Sequence, residues 1–372
     1  MRKKGRRLSL AVLFFIVLFG GCASGGIIAG GKESPDMRVL ILKGKTDLLI
    51  KGSSASSEMR FEYGGDGRVT LNAKETTLPL RYTPEDEFIY VEERPYRGII
   101  EVREDEREGS IGLMVINEVP LEPYIAGIIN SEISSMWPAE AVKAQAVIAR
   151  TYAVHQRDAR ANPLFDLTST LMDQVYTGAG GEDEASLHAV KETEGEVLTY
   201  DGMPALTVYH SNGGGVTEDC KEVWGADYPY LRGVKSAYDR TSAGYLWELS
   251  LSSSSLGGIF KKAGYEVDRI EALKVTERTK TGRVKKLVIK GSGGNALTLT
   301  GVEFRKALGY SALRSTLFEV EKRGDEFVFS GRGSGHGVGL SQWGAKGMAE
   351  DGYGYKEILR HYYPGTELRR VY

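Results

Sequence analysis

Glu132 closes the apolar run Tyr124 to Ile133 and stands just before Trp137 and Pro138. A carboxylate held against aromatic and aliphatic walls loses hydration, so its neutral form is favoured and its pKa rises. Such an acid can hand a proton to a leaving oxygen near neutral pH. The same local pattern also suits a helix-capping or ion-paired glutamate, and the residues around it leave both readings open. Lys143 and Arg150 lie two helical turns apart on one face of an Ala-rich segment. Long cations on a semi-buried helix need partners. They either pair with acidic groups to fix the core or point into a groove, and spacing is neutral between the two.

Two Gly-rich segments offer further candidates. Tyr209-His210-Ser211-Asn212-Gly213-Gly214-Gly215 sets a His and a Ser beside flexible backbone. No G-x-S-x-G elbow is present, which argues against a serine hydrolase. His210 and Cys220 are two potential zinc ligands, and two do not make a site. The run Gly331 to Gly344 contains G-x-G-x-G but lacks the G-K-[ST] ending of a phosphate loop and any βαβ context. Within it, His336 is either catalytic or a histidine tied to main-chain carbonyls.

The elements that must position these groups are legible as a pattern. Residues 37–118 hold short apolar runs such as Arg38 to Leu42, Asp47 to Ile50, Phe61 to Leu71, Phe88 to Val91 and Ile99 to Val102, bounded by Gly, Asp or Pro. That is a β-rich section. A short helix follows from Pro120 to about Asn130. Pro138 to Arg157 holds six Ala, no Gly and no further Pro, and predicts a central, largely buried helix with two semi-apolar faces. Residues 184–194 read as another helix and 195–233 as strands and loops. A strand and short helix are expected over 250–264, a strand pair over 271–300 around Lys280-Thr281-Gly282, and a helix over 301–308. A hairpin follows across Arg323-Gly324, then helices ending near Asp351 and at Tyr362. The mixture predicts an α+β fold with segregated helices.

Composition bounds the function. The chain has 372 residues, 41% hydrophobic and 26% charged, with a formal net charge of -2. This is globular composition without the basic excess that nucleic acid requires. Its 47 Gly and 20 Tyr point to many turns and an aromatic-lined groove. Arg2, Lys3, Lys4, Arg6 and Arg7 precede the apolar run Leu8 to Phe19, then Gly20, Gly21 and Cys22. This reads as an export signal over residues 1–21, with a greasy core too short for a comfortable membrane span. The ending on Cys22 resembles a bacterial lipobox, with Phe19 where Leu is usual; a plain signal peptide is the alternative. Loss of residues 1–21 leaves 43 Lys+Arg against 50 Asp+Glu, a charge of -7. Residues 22–36 then form a tether. With Cys22 lipidated, Cys220 is alone and neither a disulfide nor a thiolate zinc cage can form.

Taken together, Val119-Pro120-Leu121-Glu122-Pro123-Tyr124, Ser131-Glu132, Pro138 to Ala153, Asp173 to Gly178, His210 to Gly214 and Gly331 to Ala345 resemble the stage II sporulation protein D family, with its amidase-enhancer relatives. The resemblance spans 37–372: a β-rich section 37–118, a catalytic section 119–249, an α/β insertion 250–330, and a Gly-rich loop with C-terminal helices over 331–372. It implies a peptidoglycan lytic transglycosylase that cuts between N-acetylmuramic acid and N-acetylglucosamine and leaves 1,6-anhydromuramic ends. Sporulation members prefer strands stripped of stem peptides by an amidase, a possible partner here. The resemblance assigns Glu132 as the catalytic acid. It places Lys143, Arg150, Tyr176, Tyr209, His210, Ser211, Trp224, His336 and Gln342 at the substrate groove. Ser334, where the family usually has an aromatic, and Asn212, where it usually has Ser, Thr or Cys, depart from the pattern. Some members hold zinc in this region; with Cys220 alone, neither zinc nor any other cofactor is expected. The lipoprotein-type start implies anchoring on the envelope side of a membrane, and suits growth, division or wall turnover as well as sporulation. Two other functions stay open. One is a non-catalytic glycan-binding protein that stimulates an amidase, which product analysis on denuded strands separates from an enzyme. The other is a metal-dependent hydrolase using His210 and His336, which a chelator would inactivate.

Overall fold

The computed structural model describes residues 34–52, 57–105, 111–160 and 162–372. The export segment, Cys22 and the tether up to residue 33 lie outside them. The described chain mixes several small sheets with eight helices and is α+β, as the pattern predicts. The helices are α1 (Leu121–Glu132), α2 (Ala139–Ala159), α3 (Glu184–Glu192), α4 (Cys220–Trp224), α5 (Ser253–Lys262), α6 (Gly301–Leu308), α7 (Gln342–Glu350) and α8 (Tyr355–Tyr362). Among the described residues, no helix is long and apolar enough to cross a membrane.

The N-terminal section builds two sheets, antiparallel except where Leu167–Thr168 joins Asp36–Lys45 in parallel. A six-stranded sheet is centred on Glu58–Tyr63 and Asp47–Lys51, and a five-stranded one on Asp36–Lys45 and Leu113–Pro120. Strand side chains alternate across a sheet. Val115 therefore enters the main core, while Met114 and Ile116 meet Leu40 in a second cluster under Leu164 and Phe165. With both faces covered, Leu113 to Asn117 is a continuously buried run.

Leu113–Pro120 runs straight into α1, which stops at Glu132 because Ile133 turns extended at φ -141° and ψ 164°. Gly127 on α1 lets the segment 176–178 pass close by: a Cβ there would stand 2.6 Å from the Tyr176 ring and 2.8 Å from the Gly178 carbonyl. The longest helix, α2, is buried from Ala141 to Val154 except at Lys143. Val142, Ala146, Ala149 and Ala153 face the N-terminal core, whereas Ala144, Val147 and Ile148 face a second core closed by α7 and α8. Small Ala side chains let neighbours approach on both sides, which suits a helix wedged between two cores.

Residues 246–332 carry a third core. Phe260, Phe304, Phe318 and Phe329 cluster with Trp247 between α5, α6 and two three-stranded sheets. The strand pair expected over 271–300 is present as Ile270–Arg278 and Val284–Gly291, with a third strand, Ala296–Thr300, that the pattern did not separate. Arg283, from the turn of this sheet, is buried and donates to the carbonyls of Gly213 (2.7 Å) and Val216 (3.2 Å). It pins the section to the His210-containing loop.

Candidate active site

Glu132 is the last residue of α1 and only half-buried. The Val175 N–H donates to its Oε1 at 3.4 Å, and the Tyr209 hydroxyl and Gln342 amide face the carboxylate and favour its charged form. Burial pushes its pKa up, and the three donors pull it down without cancelling that rise. The C-terminal end of the α1 dipole acts in the same direction as burial. The result is a carboxyl group biased toward holding a proton yet provided with donors for the charge it acquires on losing one.

Three separate segments deliver those donors. Tyr209–His210 and Leu340–Ser341 pair as a short parallel ladder, Tyr209 opposite Leu340 and His210 opposite Ser341. This register sets Tyr209 beside Gln342, the first residue of α7. Gly339 makes the approach possible, with φ +71° and a Cβ position only 2.0 Å from the Val208 carbonyl. Behind the ladder, Asp239 accepts from Ser341 Oγ (2.6 Å), Ser236 Oγ (2.8 Å) and the Gly215 N–H (3.0 Å). The fully buried Asp239 ties both Gly-rich loops together, and burial raises its pKa. Gln174 orients Tyr209: its amide donates to Tyr209 Oη (3.5 Å) and to the Ala149 carbonyl (3.2 Å), and its oxygen accepts from Tyr124 Oη (3.0 Å). Burial, with the facing Glu132 charge, keeps the Tyr209 hydroxyl protonated.

Of the residues expected at a groove, Glu132, Tyr209 and Gln342 therefore come together. Ser211 joins them through its carbonyl, which accepts from the Trp343 N–H at 3.0 Å. His336 stands behind: its Nε2–H donates to the Tyr209 carbonyl (2.9 Å) and its Nδ1 accepts from the Val338 N–H (3.1 Å). Burial lowers its pKa to about 4, so it is a neutral strut. Trp224 packs on the His336 ring with centroids 5.0 Å apart.

Four expectations need correcting. Arg150 is 0% exposed and bound to Glu122 at 2.8 and 2.6 Å, so it serves the core and not the groove. Lys143 is engaged by Glu140 (2.6 Å) and Glu192 (2.9 Å). Tyr176, 3% exposed, points inward, where its hydroxyl donates to Asn117 Oδ1 (2.9 Å) and its ring packs on Tyr124 and Tyr96. His210 is 4% exposed, with Nδ1–H donating to the Val338 carbonyl at 3.0 Å, too deep to touch a glycan. The metal-dependent reading loses His336 as a ligand as well, since both of its nitrogens are taken by main chain, which leaves only the buried Nε2 of His210. No cluster of three or more His, Cys, Asp or Glu able to hold a metal ion occurs among the described residues. Cys220 is buried, its thiol donating to the Ala226 carbonyl at 3.0 Å. The two departures from the family pattern face each other: Asn212 and Ser334 exchange backbone hydrogen bonds of 2.9 and 2.8 Å.

Sequence reasoning missed Gln174, Asp239 and a pair of half-buried indoles. Trp137 and Trp343 meet with centroids 5.1 Å apart, and the Lys346 ammonium lies over both rings. Trp137 was legible only as an apolar wall beside Glu132. Nothing in the sequence pairs it with Trp343 across two hundred residues.

This architecture defines an α+β protein organised around one half-buried carboxyl group on a helix end. The chain belongs to the stage II sporulation protein D family. The family model "Stage II sporulation protein" matches residues 110–200, and a "Domain of unknown function (DUF8618)" matches 231–339. Stage II sporulation protein D of Bacillus subtilis is 34% identical over 269 residues, covering 68% of this chain and 75% of that protein. An uncharacterized protein of Brachyspira hyodysenteriae is 34% identical over 257 residues, 69% of this chain and 68% of the relative. The amidase enhancer of Bacillus subtilis is 31% identical over 291 residues, 66% of this chain and 40% of the relative.

Proposed function

We propose that this protein acts outside the cytoplasm as a peptidoglycan lytic transglycosylase on strands stripped of stem peptides. The observation that carries the reading is Glu132, whose carboxyl is biased toward its acid form and ringed by three donors. In the first step it gives its proton to the glycosidic oxygen, and the bond from that oxygen to muramyl C1 breaks. The resulting carboxylate then takes the proton of the muramyl C6 hydroxyl as O6 bonds to C1. The product is a 1,6-anhydro end, no water is consumed, and Glu132 ends protonated as it began. A hydrolase would need a second carboxylate as nucleophile or base. Asp173, two residues before Val175, is committed to Arg160 (2.6 and 3.0 Å) and to Thr168 Oγ1 (2.8 Å), so it is not available for that part.

The test is to incubate the purified chain with denuded glycan strands and identify new ends by mass spectrometry. Anhydro ends are expected; reducing ends would replace the reading with hydrolysis. Likeness to an amidase enhancer supports a second reading, a glycan-binding protein that stimulates a wall amidase. Retention on strands without cleavage, together with faster amidase turnover, would favour it. We also place the mature chain on a membrane through lipidated Cys22; Cys22→Ala is expected to move it from the membrane to the soluble fraction, and unchanged fractionation would discard the anchor.

The pH profile should carry the mark of Glu132. Activity requires its acid form, so the rate should fall as pH rises through its raised pKa. Tyr209→Phe removes a donor to the charged form, which should lift that pKa further. The alkaline limb is expected to move up while the maximal rate drops about 10²-fold, as when one donor to a developing negative charge is lost. A slower variant with an unmoved limb would separate Tyr209 from the proton transfer.

A further inference from the structure

Lys346 is one turn beyond Gln342 on α7, so the two side chains share a helix face. Gln342 touches the Glu132 carboxylate, and Lys346 sits over the paired indoles, 5.2 Å from the Trp343 centroid and 5.8 Å from that of Trp137. Both rings are half-buried, and Trp343 directly follows Gln342 in the chain. Such a pair of indoles offers apolar surface for the C–H face of a pyranose and holds a cation over it. Lys346 has three N–H donors. Glu350 takes one at 2.5 Å, leaving donors for a second anion.

The geometry points to Trp137, Trp343 and Lys346 as a subsite for a muramyl residue whose lactyl group ends in a free carboxylate. This rests on the proposed function and names what selects its substrate. In a strand that keeps its stem peptides, the lactyl carbonyl is an amide and carries no charge. Hydrolysis of that amide leaves a carboxylate, and only then does the sugar on the platform present an anion to the ammonium. Preference for stripped strands follows from this charge pairing, with no need for a steric gate. Glu350 competes for the same cation and tempers the preference.

The test uses the full chain carrying Glu132→Gln, so that probes are not consumed, and isothermal titration at physiological salt. One probe is a GlcNAc–MurNAc tetrasaccharide with free lactyl carboxylates; the other is the same sugar with those groups converted to primary amides. The acid probe should bind about fivefold tighter, the size of a partly screened ion pair. Lys346→Met should bring the ratio of affinities close to one, Lys346→Arg should keep it, and Glu350→Gln should widen it. Equal affinity for the two probes, a ratio indifferent to Lys346→Met, or no binding of either probe would overturn the subsite. If the ratio behaves as expected while the wild-type chain makes no anhydro ends, the transglycosylase reading falls and the subsite stands. If anhydro ends form with a ratio of one, the reverse holds.

Discussion

Glu132→Gln should abolish anhydro-ended product, by about 10³-fold or more, and leave the protein slightly more stable than the wild type at neutral pH. The rate effect follows from the two tasks given to one group. An amide cannot protonate the glycosidic oxygen, and it cannot accept the C6 hydroxyl proton, so both halves of the reaction lose their proton carrier. The stability effect has a defined sign. Burial raises the pKa of Glu132 in the folded protein above its value in the unfolded chain. Below the unfolded value both states are protonated and the site costs nothing. As pH rises past the folded value, the native state holds a desolvated charge that the unfolded state hydrates freely. Glutamine keeps the shape without that charge. Its melting temperature should therefore exceed the wild type's at pH 7 by about 2 °C and converge with it as pH falls below the ordinary carboxylate range. Scanning calorimetry at pH 7 and pH 4, beside product analysis, reads both effects. Product formation at a normal rate would remove Glu132 from the chemistry; a large loss of stability at pH 7 would mean that the carboxylate supports the fold.

The parts of this fold that could be read in the sequence are those whose signal is local. The helix expected over 138–157 is α2, because six Ala and the absence of internal Gly or Pro act within one segment. The hairpin around Arg323-Gly324 forms for the same kind of reason, with Phe318–Arg323 paired to Glu326–Arg332. Glu132 was legible since its desolvating wall is its own helix and the next turn. What was hidden depends on elements that meet only in space. Val175 and Tyr176 are adjacent in the run Asp173 to Gly178, yet the Val175 N–H faces Glu132 while Tyr176 turns into the core. The tyrosine count predicted an aromatic groove, but Tyr124, Tyr362 and Tyr363 are 0% exposed and build the interior. Asp239 sits in a short 3-10 helix, Ala237–Thr241, and becomes the junction of the loops that hold Gly215 and Ser341. Glu367–Arg370 completes a sheet with Glu196–Tyr200, a pairing no local pattern could announce.

The second large effect concerns Arg150, where spacing allowed two roles and the structure supports one. Its guanidinium is bidentate on Glu122, donates to the Glu196 carbonyl (3.1 Å) and the Val190 carbonyl (3.3 Å), and is 0% exposed. The same carboxylate accepts from the Gly195 N–H (3.2 Å) and the Tyr372 hydroxyl. The ion pair thus joins α1, α2, the start of the 196–200 strand and the chain's last residue. Arg150→Met fills much of the volume but leaves the Glu122 charge without its cation, with only the Gly195 N–H and the Tyr372 hydroxyl to donate to it, a change that costs about 3–5 kcal/mol. In a chain of this size that corresponds to a fall in melting temperature of about 4–7 °C. Replacing both partners, Arg150→Met with Glu122→Leu, removes the stranded charge and should recover most of the loss. A groove residue would behave differently: its removal would raise KM for glycan strands and barely move the melting temperature. Measured on the folded fraction, Arg150→Met should keep KM close to the wild-type value. Weakened glycan binding at an unchanged melting temperature would return Arg150 to the groove, and would require the Glu122 pair to open when substrate arrives.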